Sequence, residues 1–123
     1  MVRTVVCIVA IALAAVAVAD TPHAPPSSPA VLAAGRSMYE GSAGGCFACH
    51  GLTGEGNGPV AVALKPPPRN FVRDPFKGGD SVEQIYTTIT NGLPSSAMVP
   101  FTKLSDYERW ALAYYVLSFR PRK

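Results

Sequence analysis

The run Cys46-Phe47-Ala48-Cys49-His50 constrains this chain more than any other feature of its sequence. A Cys-x-x-Cys-His run is the attachment signature of a c-type haem. Residues three and four positions apart share one face of a helical turn, so both thiols and the imidazole can reach the same macrocycle. The motif therefore predicts covalent haem attachment through Cys46 and Cys49, with His50 as the proximal ligand of the iron.

Three alternatives to haem attachment remain open at this point. A zinc site needs four protein ligands, and the only further candidate in an exported chain is His23, which lies in a proline-rich stretch. A thioredoxin-like dithiol usually opens a helix in a βαβ pattern, whereas no alternation of strand and helix is evident here. The third alternative is a chance occurrence of the motif.

The first 19 residues have the composition of a secretory signal peptide. Arg3 supplies the positive start, residues 5–19 form an unbroken apolar run, and Ala17-Val18-Ala19 fits a small-residue cleavage site. We expect cleavage after Ala19 and a periplasmic protein. The alternative is an uncleaved anchor, the one membrane contact that the sequence suggests, although a membrane span needs about 20 apolar residues. Cys7 lies in this segment and is assigned no role.

Cleavage would leave 104 of the 123 residues, with two cysteines that both belong to the haem motif. The exported chain would then have no structural disulfide, and a domain of this size is only marginally stable by itself. A covalently held macrocycle would supply much of the missing core. The formal charge of +3 falls to near zero once Arg3 is removed and two haem propionates are added, which argues against a nucleic-acid partner.

After the expected signal peptide, the composition of residues 20–29 indicates a tether rich in proline and serine, and residues 30–120 are predicted to form one domain. Three main helices are predicted in that domain. The first runs over residues 29–40 behind Ser28 as N-cap. The second and third begin with capping boxes and end near Gly92 and Phe119; the boxes are Ser81 with Gln84 and Ser105 with Glu108. A single helical turn is expected over residues 60–64. No strand pattern is convincing, so the fold class is all-α.

Two methionines of the exported chain are candidates for the second axial ligand of the iron. Met38 lies within the first predicted helix, where a core position is its expected role. Met98 lies in a loop between Pro94 and Pro100, and such a loop can fold across the far side of a macrocycle. Methionine at this site stabilises ferrous iron and raises the reduction potential. We therefore predict Met98 as the distal ligand.

In its order of motifs the chain resembles a class I, single-haem cytochrome c of the small bacterial type. The matching segments extend over essentially all of residues 30–120: AAGRSMY in the first helix, the haem motif followed by Gly51, Gly58-Pro59, the Pro-Arg-Asn-Phe segment at 68–71, Met98 with Pro100-Phe101, and LSDYERWALAYYVLSF in the last helix. The resemblance implies a small cytochrome c fold, with three main helices and loops wrapped around one covalent haem.

The resemblance also implies roles for individual residues. Gly35 and Tyr39 would cross the last helix at Leu112 and Tyr115. The carbonyl of Pro59 would accept a hydrogen bond from the second ring nitrogen of the haem-bound histidine, and Arg69 would contact a haem propionate. At one position the chain departs from the family, since Val99 separates Met98 from the proline that often follows the methionine directly.

The leading functional hypothesis is a one-electron carrier, not an enzyme, which passes electrons from a donor cytochrome or dehydrogenase to an oxidase or reductase. A basic stretch could steer an acidic partner; it comprises Lys65, Arg69, Arg73 and Lys77. The first alternative is a haem-bearing subunit of a larger dehydrogenase or reductase. It is suggested by apolar residues on several faces of the last helix, namely Trp110, Tyr114 and Leu117. The second alternative is a ligand-binding or peroxidatic protein with an open iron site.

Overall fold

The computed structural model describes residues 22–121 of the chain. The predicted signal peptide with Cys7, its cleavage site and the first two residues of the tether lie outside this range. Every regular element in the described part is helical, as the all-α prediction requires. The elements are α1 (Pro29–Glu40), α2 (Phe47–His50), a 3-10 turn (Ala61–Ala63), α3 (Val82–Asn91) and α4 (Asp106–Ser118).

The starts of the three main helices follow from local side-chain chemistry. The Ser28 hydroxyl accepts a hydrogen bond from the amide of Val31 at 3.2 Å, and Pro29 occupies the first helical position. Ahead of α3 and α4, Ser81 and Ser105 each form a reciprocal capping box with the residue three positions later. Each box satisfies amide groups that the helix itself leaves without partners. The predicted helix starts are confirmed.

α1 crosses α4 at very close range, and Gly35 makes that approach possible. A Cβ atom at Gly35 would lie 2.1 Å from the carbonyl oxygen of Ala111 and 2.7 Å from the Cβ of Tyr115. The closest approach is thus to Ala111 and Tyr115 rather than to Leu112. One turn further along α1, the ring of Tyr39 packs edge-on against Tyr115 with centroids 5.3 Å apart. The predicted contact between the first and last helices is therefore present.

α3 packs along another side of α4, where two aromatic rings stack. The rings of Tyr86 and Trp110 have centroids 3.8 Å apart and planes inclined by only 12°. Trp110 is consequently buried, with 5% of its surface exposed. Trp110 was expected to lie on a face that needs an external subunit, but Tyr86 of the same chain covers it.

The N-terminal segment of the described chain is tied to the back of α4. The hydroxyl of Tyr114 donates to the carbonyl of Pro25 at 2.8 Å. Side chains two positions apart on a helix differ in direction by about 200°, so Tyr114 and Val116 lie on opposite sides of α4. The side chain of Val116 lines a cavity on the inner side of α4. Residues around Pro25 therefore run over the outer side of α4, opposite the cavity.

The apolar core is shared between the helices and the loops that connect them. Its buried members include residues of all three main helices together with Phe71 and Leu104 from loops; they are Tyr39, Phe71, Ile85, Ile89, Leu104, Leu112, Ala113 and Val116. Ile85, Ile89 and Val116 also border the cavity, so the core is continuous with its wall. Across residues 22–121, no helix has the length and apolarity needed to cross a membrane.

Candidate functional site

The Cys-x-x-Cys-His motif forms the single turn of α2. Its turn is closed by the amide of His50, which donates to the carbonyl of Cys46 at 2.9 Å. Gly51 ends the turn with φ +78°, in the region that favours glycine. Both thiols and the imidazole border the same cavity. The local fold of the motif thus brings Cys46, Cys49 and His50 together, as the spacing predicts.

The cavity beside α2 has a volume of about 300 Å³ and predominantly apolar walls. Its lining comes from segments far apart in the chain, though none from α1: the haem motif, the proline-rich segment, α3, the loop that carries Met98, and Val116 of α4. Apolar walls with a few convergent polar groups are typical of cofactor sites. The chemistry of the donor set, two thiols, an imidazole and a thioether bordering one apolar cleft, fits a covalently attached haem.

The electrostatics of His50 suit a metal ligand. Burial lowers the pKa of its imidazole, although the hydrogen bond to the backbone of Arg69 opposes this effect. His50 Nδ1 lies 3.0 Å from the Arg69 carbonyl oxygen. A carbonyl can only accept, so Nδ1 carries the proton and the lone pair is on Nε2. A neutral ring with a second nitrogen held by a backbone carbonyl is the usual state of a metal-binding histidine.

The carbonyl that meets His50 belongs to Arg69 and not to Pro59, so the expectation for Pro59 is corrected. The loop after α2 curls back onto its own helix, because the amides of Gly58 and Val60 donate to the carbonyls of Cys49 and Ala48. This path leaves Pro59 exposed. The later segment at residues 68–71 then passes beside the imidazole and supplies the acceptor.

A turn built by Asn70 sets the direction of the Arg69 carbonyl. The buried side chain of Asn70 accepts hydrogen bonds from the amides of Val72 at 3.0 Å and Arg73 at 3.2 Å. Such side-chain bonds to the following amides are typical of asparagine in turns. The turn places the Arg69 carbonyl and the Phe71 ring on the same side, facing His50.

Two of the three alternatives to haem attachment, the reactive dithiol and the zinc site, find little support in the geometry. Burial raises the pKa of the Cys46 thiol to about 11, whereas reactive dithiols have a lowered thiol pKa. Among residues 22–121, no three His, Cys, Asp or Glu side chains converge in a way that could hold a metal ion. A four-ligand zinc site therefore has no ligand set in this part of the chain.

Met98 borders the cavity from a loop that is held mainly by its own hydrogen bonds. The carbonyl of Met98 accepts from the amide of Leu93 at 3.0 Å, and the amide of Met98 donates to the hydroxyl of Ser96 at 3.1 Å. That hydroxyl in turn donates to the Leu93 carbonyl at 2.7 Å. The structure thus brings Met98 and His50 to one cavity, while Met38 lies on α1 among the residues packed against the core.

Two cationic side chains stand at the cavity. Arg69, predicted to contact a propionate, borders it, and so does Lys77. From the sequence, Lys77 was expected only to belong to a basic stretch. Arg73, by contrast, does not border the cavity, and its Nε lies 3.8 Å from Asp74 Oδ1. Contact between Arg69 and a propionate stays a prediction.

Sequence reasoning missed two contributors to the site, namely the Arg69 backbone carbonyl and the Phe71 ring. The Phe71 ring is stacked on that of His50 with centroids 4.2 Å apart. A signal was present in the Pro-Arg-Asn-Phe segment, where an asparagine in a turn precedes an aromatic residue. Which ring that residue meets depends on how two distant segments pack.

Comparison with known proteins agrees with the geometry. Residues 30–116 match the family described as cytochrome c oxidase, cbb3-type, subunit III. A solved chain from the Kuenenia stuttgartiensis reducing HAO-like protein complex is similar in structure, with a TM-score of 0.75 and 34% sequence identity over 84% of this chain. The match spans only half of that longer chain. No curated protein matches the sequence.

Proposed function

The chain belongs to the family of c-type cytochromes described as cytochrome c oxidase, cbb3-type, subunit III, and from that premise we propose that it is a carrier of single electrons with one haem. The observation that carries the proposal is the meeting of Cys46, Cys49, His50 and Met98 at one apolar cavity. When bound, the haem supplies an iron that alternates between the ferric and ferrous states.

The residues of the chain hold and tune that group rather than react with a substrate. The thiols of Cys46 and Cys49 would hold it covalently, and the neutral His50 ring would offer its Nε2 lone pair to the iron. The thioether of Met98 would fill the second axial position and favour the ferrous state. If His50 and Met98 both held the iron, the chain would leave it no position for a substrate, and on this ground we propose that the protein is not an enzyme.

The proposal is tested by maturing the full chain in a host that attaches c-type haem. We expect a mass increase of one haem and a weak iron–sulfur absorption band in the oxidised protein. Met98→Ala should lose that band, lower the reduction potential and bind carbon monoxide readily in the ferrous form. Met38→Ala is the matched control. It should keep the absorption band and the wild-type reduction potential, and it should not bind carbon monoxide readily. A wild-type protein without covalent haem would refute the assignment, and ready binding of carbon monoxide by the wild type would favour an open iron site.

We further propose that the redox partner presents an acidic surface. Lys77 and Arg69 border the cavity, and the neighbouring basic residues Lys65 and Arg73 are exposed. Opposite charges raise the rate of encounter, and dissolved salt screens them. Electron transfer to an acidic partner should therefore slow clearly as ionic strength rises. Lys77→Gln should weaken this salt dependence more than Lys103→Gln, because Lys103 does not border the cavity. An unchanged salt dependence in Lys77→Gln would contradict the proposed acidic partner surface.

A second candidate function is that of a haem-bearing subunit in a larger redox complex. It is supported by the similar solved chain, which belongs to a multi-protein complex. One observation now counts less for this second function: Trp110 is buried against Tyr86 and needs no external subunit to cover it. Size-exclusion chromatography separates the two: a stable monomer with intact haem supports the free carrier, whereas aggregation without a co-purified partner supports the subunit.

We propose that the protein acts in the periplasm after cleavage behind Ala19. The support is the composition of residues 1–19, which is that of a secretory signal peptide. The mass of the exported protein tests this directly. Cleavage predicts a chain that starts at Asp20, whereas a chain that retains residues 1–19 and fractionates with membranes would show an uncleaved anchor.

A further inference from the structure

The imidazole of His50 is in contact with an aromatic ring as well as a backbone carbonyl. The ring of Phe71 lies almost parallel to it, with centroids 4.2 Å apart and planes inclined by 19°. Phe71 is buried, with 7% of its surface exposed. The contact is therefore a flat stack inside the protein rather than a chance approach at its surface.

Phe71 is itself held in place from several directions. Its amide donates to the carbonyl of Gly54 at 2.7 Å. Its ring also stacks with those of Phe76 and Phe119, at centroid distances of 5.6 and 6.2 Å. A buried side chain surrounded in this way has little freedom to rotate or shift. Phe71 thus offers the imidazole a fixed wall.

The hydrogen bond and the stack constrain different motions of the imidazole. The bond from Nδ1 to the Arg69 carbonyl fixes the direction of one ring edge, but the ring can still turn about that line. A rigid aromatic face against the ring stops this rotation. We propose that Phe71 is a positioning residue that fixes the rotational orientation of the His50 imidazole, and so the direction in which Nε2 meets the iron.

This inference depends on the proposed function, because it requires His50 to be an iron ligand. Its consequence is electronic as well as steric. The plane of an imidazole bound to ferric iron affects which iron orbital overlaps with it. With the Met98 ligand unchanged, a turn of that plane changes how the unpaired electron spreads over the macrocycle. Simple core packing by Phe71 would affect stability without changing that distribution.

Proton NMR of the oxidised, haem-loaded protein distinguishes these two roles, because the haem-methyl signals report the spin distribution. Phe71→Leu removes the ring and keeps an apolar side chain, so we expect a changed order and spread of the methyl signals. Phe71→Tyr keeps an aromatic ring against His50 and should keep the wild-type order of the methyl signals. Phe119→Leu removes a ring that stacks on Phe71 but does not touch His50, and should change the order less than Phe71→Leu does.

The proposal is overturned if Phe71→Leu keeps the wild-type order of methyl signals, or if Phe119→Leu alters it equally. Should Phe71→Leu fail to accumulate, the wild-type ferrous protein gives the answer. There we expect strong through-space contacts between the ring protons of Phe71 and His50, and their absence overturns the stack. Both outcomes presuppose a protein that carries covalent haem, so the lack of haem counts against the proposed function instead.

Discussion

The two sides of the cavity are built in opposite ways. The side of His50 is assembled from segments far apart in sequence, since Tyr39, Gly54, Arg69 and Phe71 all support the haem motif or its neighbours. The side of Met98 is a loop whose hydrogen bonds mostly join residues 93–98 to one another. The difference indicates that the His50 ligand depends on the fold of the whole domain, whereas the Met98 ligand depends mainly on its loop.

Gly92→Ala should have the largest effect, and it acts on the loop of Met98. Gly92 has φ +67°, and a Cβ there would lie 2.6 Å from the Met98 carbonyl oxygen. Strain of this kind costs up to about 3 kcal/mol, so we expect the loop to shift and the iron–sulfur band to disappear. Visible spectra and carbon monoxide binding measure this. If Gly92→Ala also loses the covalent haem or the bond between His50 and the iron, then the Met98 loop is not independent of the His50 side of the cavity.

Asn70→Ala tests the opposite side and should lower the stability of the whole domain. It removes the acceptor of two amide hydrogen bonds, those of Val72 and Arg73, at a cost of about 2 kcal/mol. Denaturant unfolding should show this loss while the iron–sulfur band persists under native conditions. Asn91→Ala, at an exposed position near the end of α3, serves as control and should change little. Equal losses in both variants would contradict the role of the turn.

Tyr39→Phe probes the same side through pH. The Tyr39 hydroxyl donates to the Gly51 carbonyl at 2.7 Å, and burial raises the pKa of Tyr39 well above its ordinary value. The folded state keeps this proton while the unfolded state releases it near pH 10. The contribution of Tyr39 to the unfolding free energy should therefore be constant below about pH 10 and fall above it, by up to about 1.4 kcal/mol per pH unit.

In the Tyr39→Phe variant we expect about 1 kcal/mol less stability at neutral pH, from the lost hydrogen bond, and a weaker decline above pH 10. Tyr115→Phe is the control. Burial also raises the pKa of Tyr115, but its side chain is not fully enclosed, so removing it should change the alkaline slope less. Unfolding curves at a series of pH values check both variants, and an unaltered slope in Tyr39→Phe would contradict the assignment.

Ser96→Ala should have the smallest effect and remain within the Met98 loop. It removes two local hydrogen bonds, to the Leu93 carbonyl and from the Met98 amide, worth about 1 kcal/mol at this partly buried position. We expect a modest rise in the rate of carbon monoxide binding and little change in global unfolding. Ser37→Ala, exposed on α1, should affect neither. A large loss of global stability would show that the loop is coupled to the core.

The sequence was sufficient where the determinants are local. Serine caps and glycine stops act within a few residues, so the three helices could be predicted with their starts. The same holds for the turn that unites Cys46, Cys49 and His50. The contact between the Arg69 carbonyl and His50 could not be predicted, because it depends on the Asn70 turn and on a loop path that leaves Pro59 exposed. The stack of Phe71 on His50 and the burial of Trp110 by Tyr86 both require knowing which segments meet.

The hydrogen bond between Tyr114 and Pro25 has a consequence for how this domain can be attached. Because it holds the incoming chain against the outer side of α4, the polypeptide reaches the domain from behind the cavity. The surface through which electrons would pass and the surface through which the chain arrives are therefore separate. A carrier laid out in this manner can stay linked at its N-terminal end while its redox face meets a partner without obstruction.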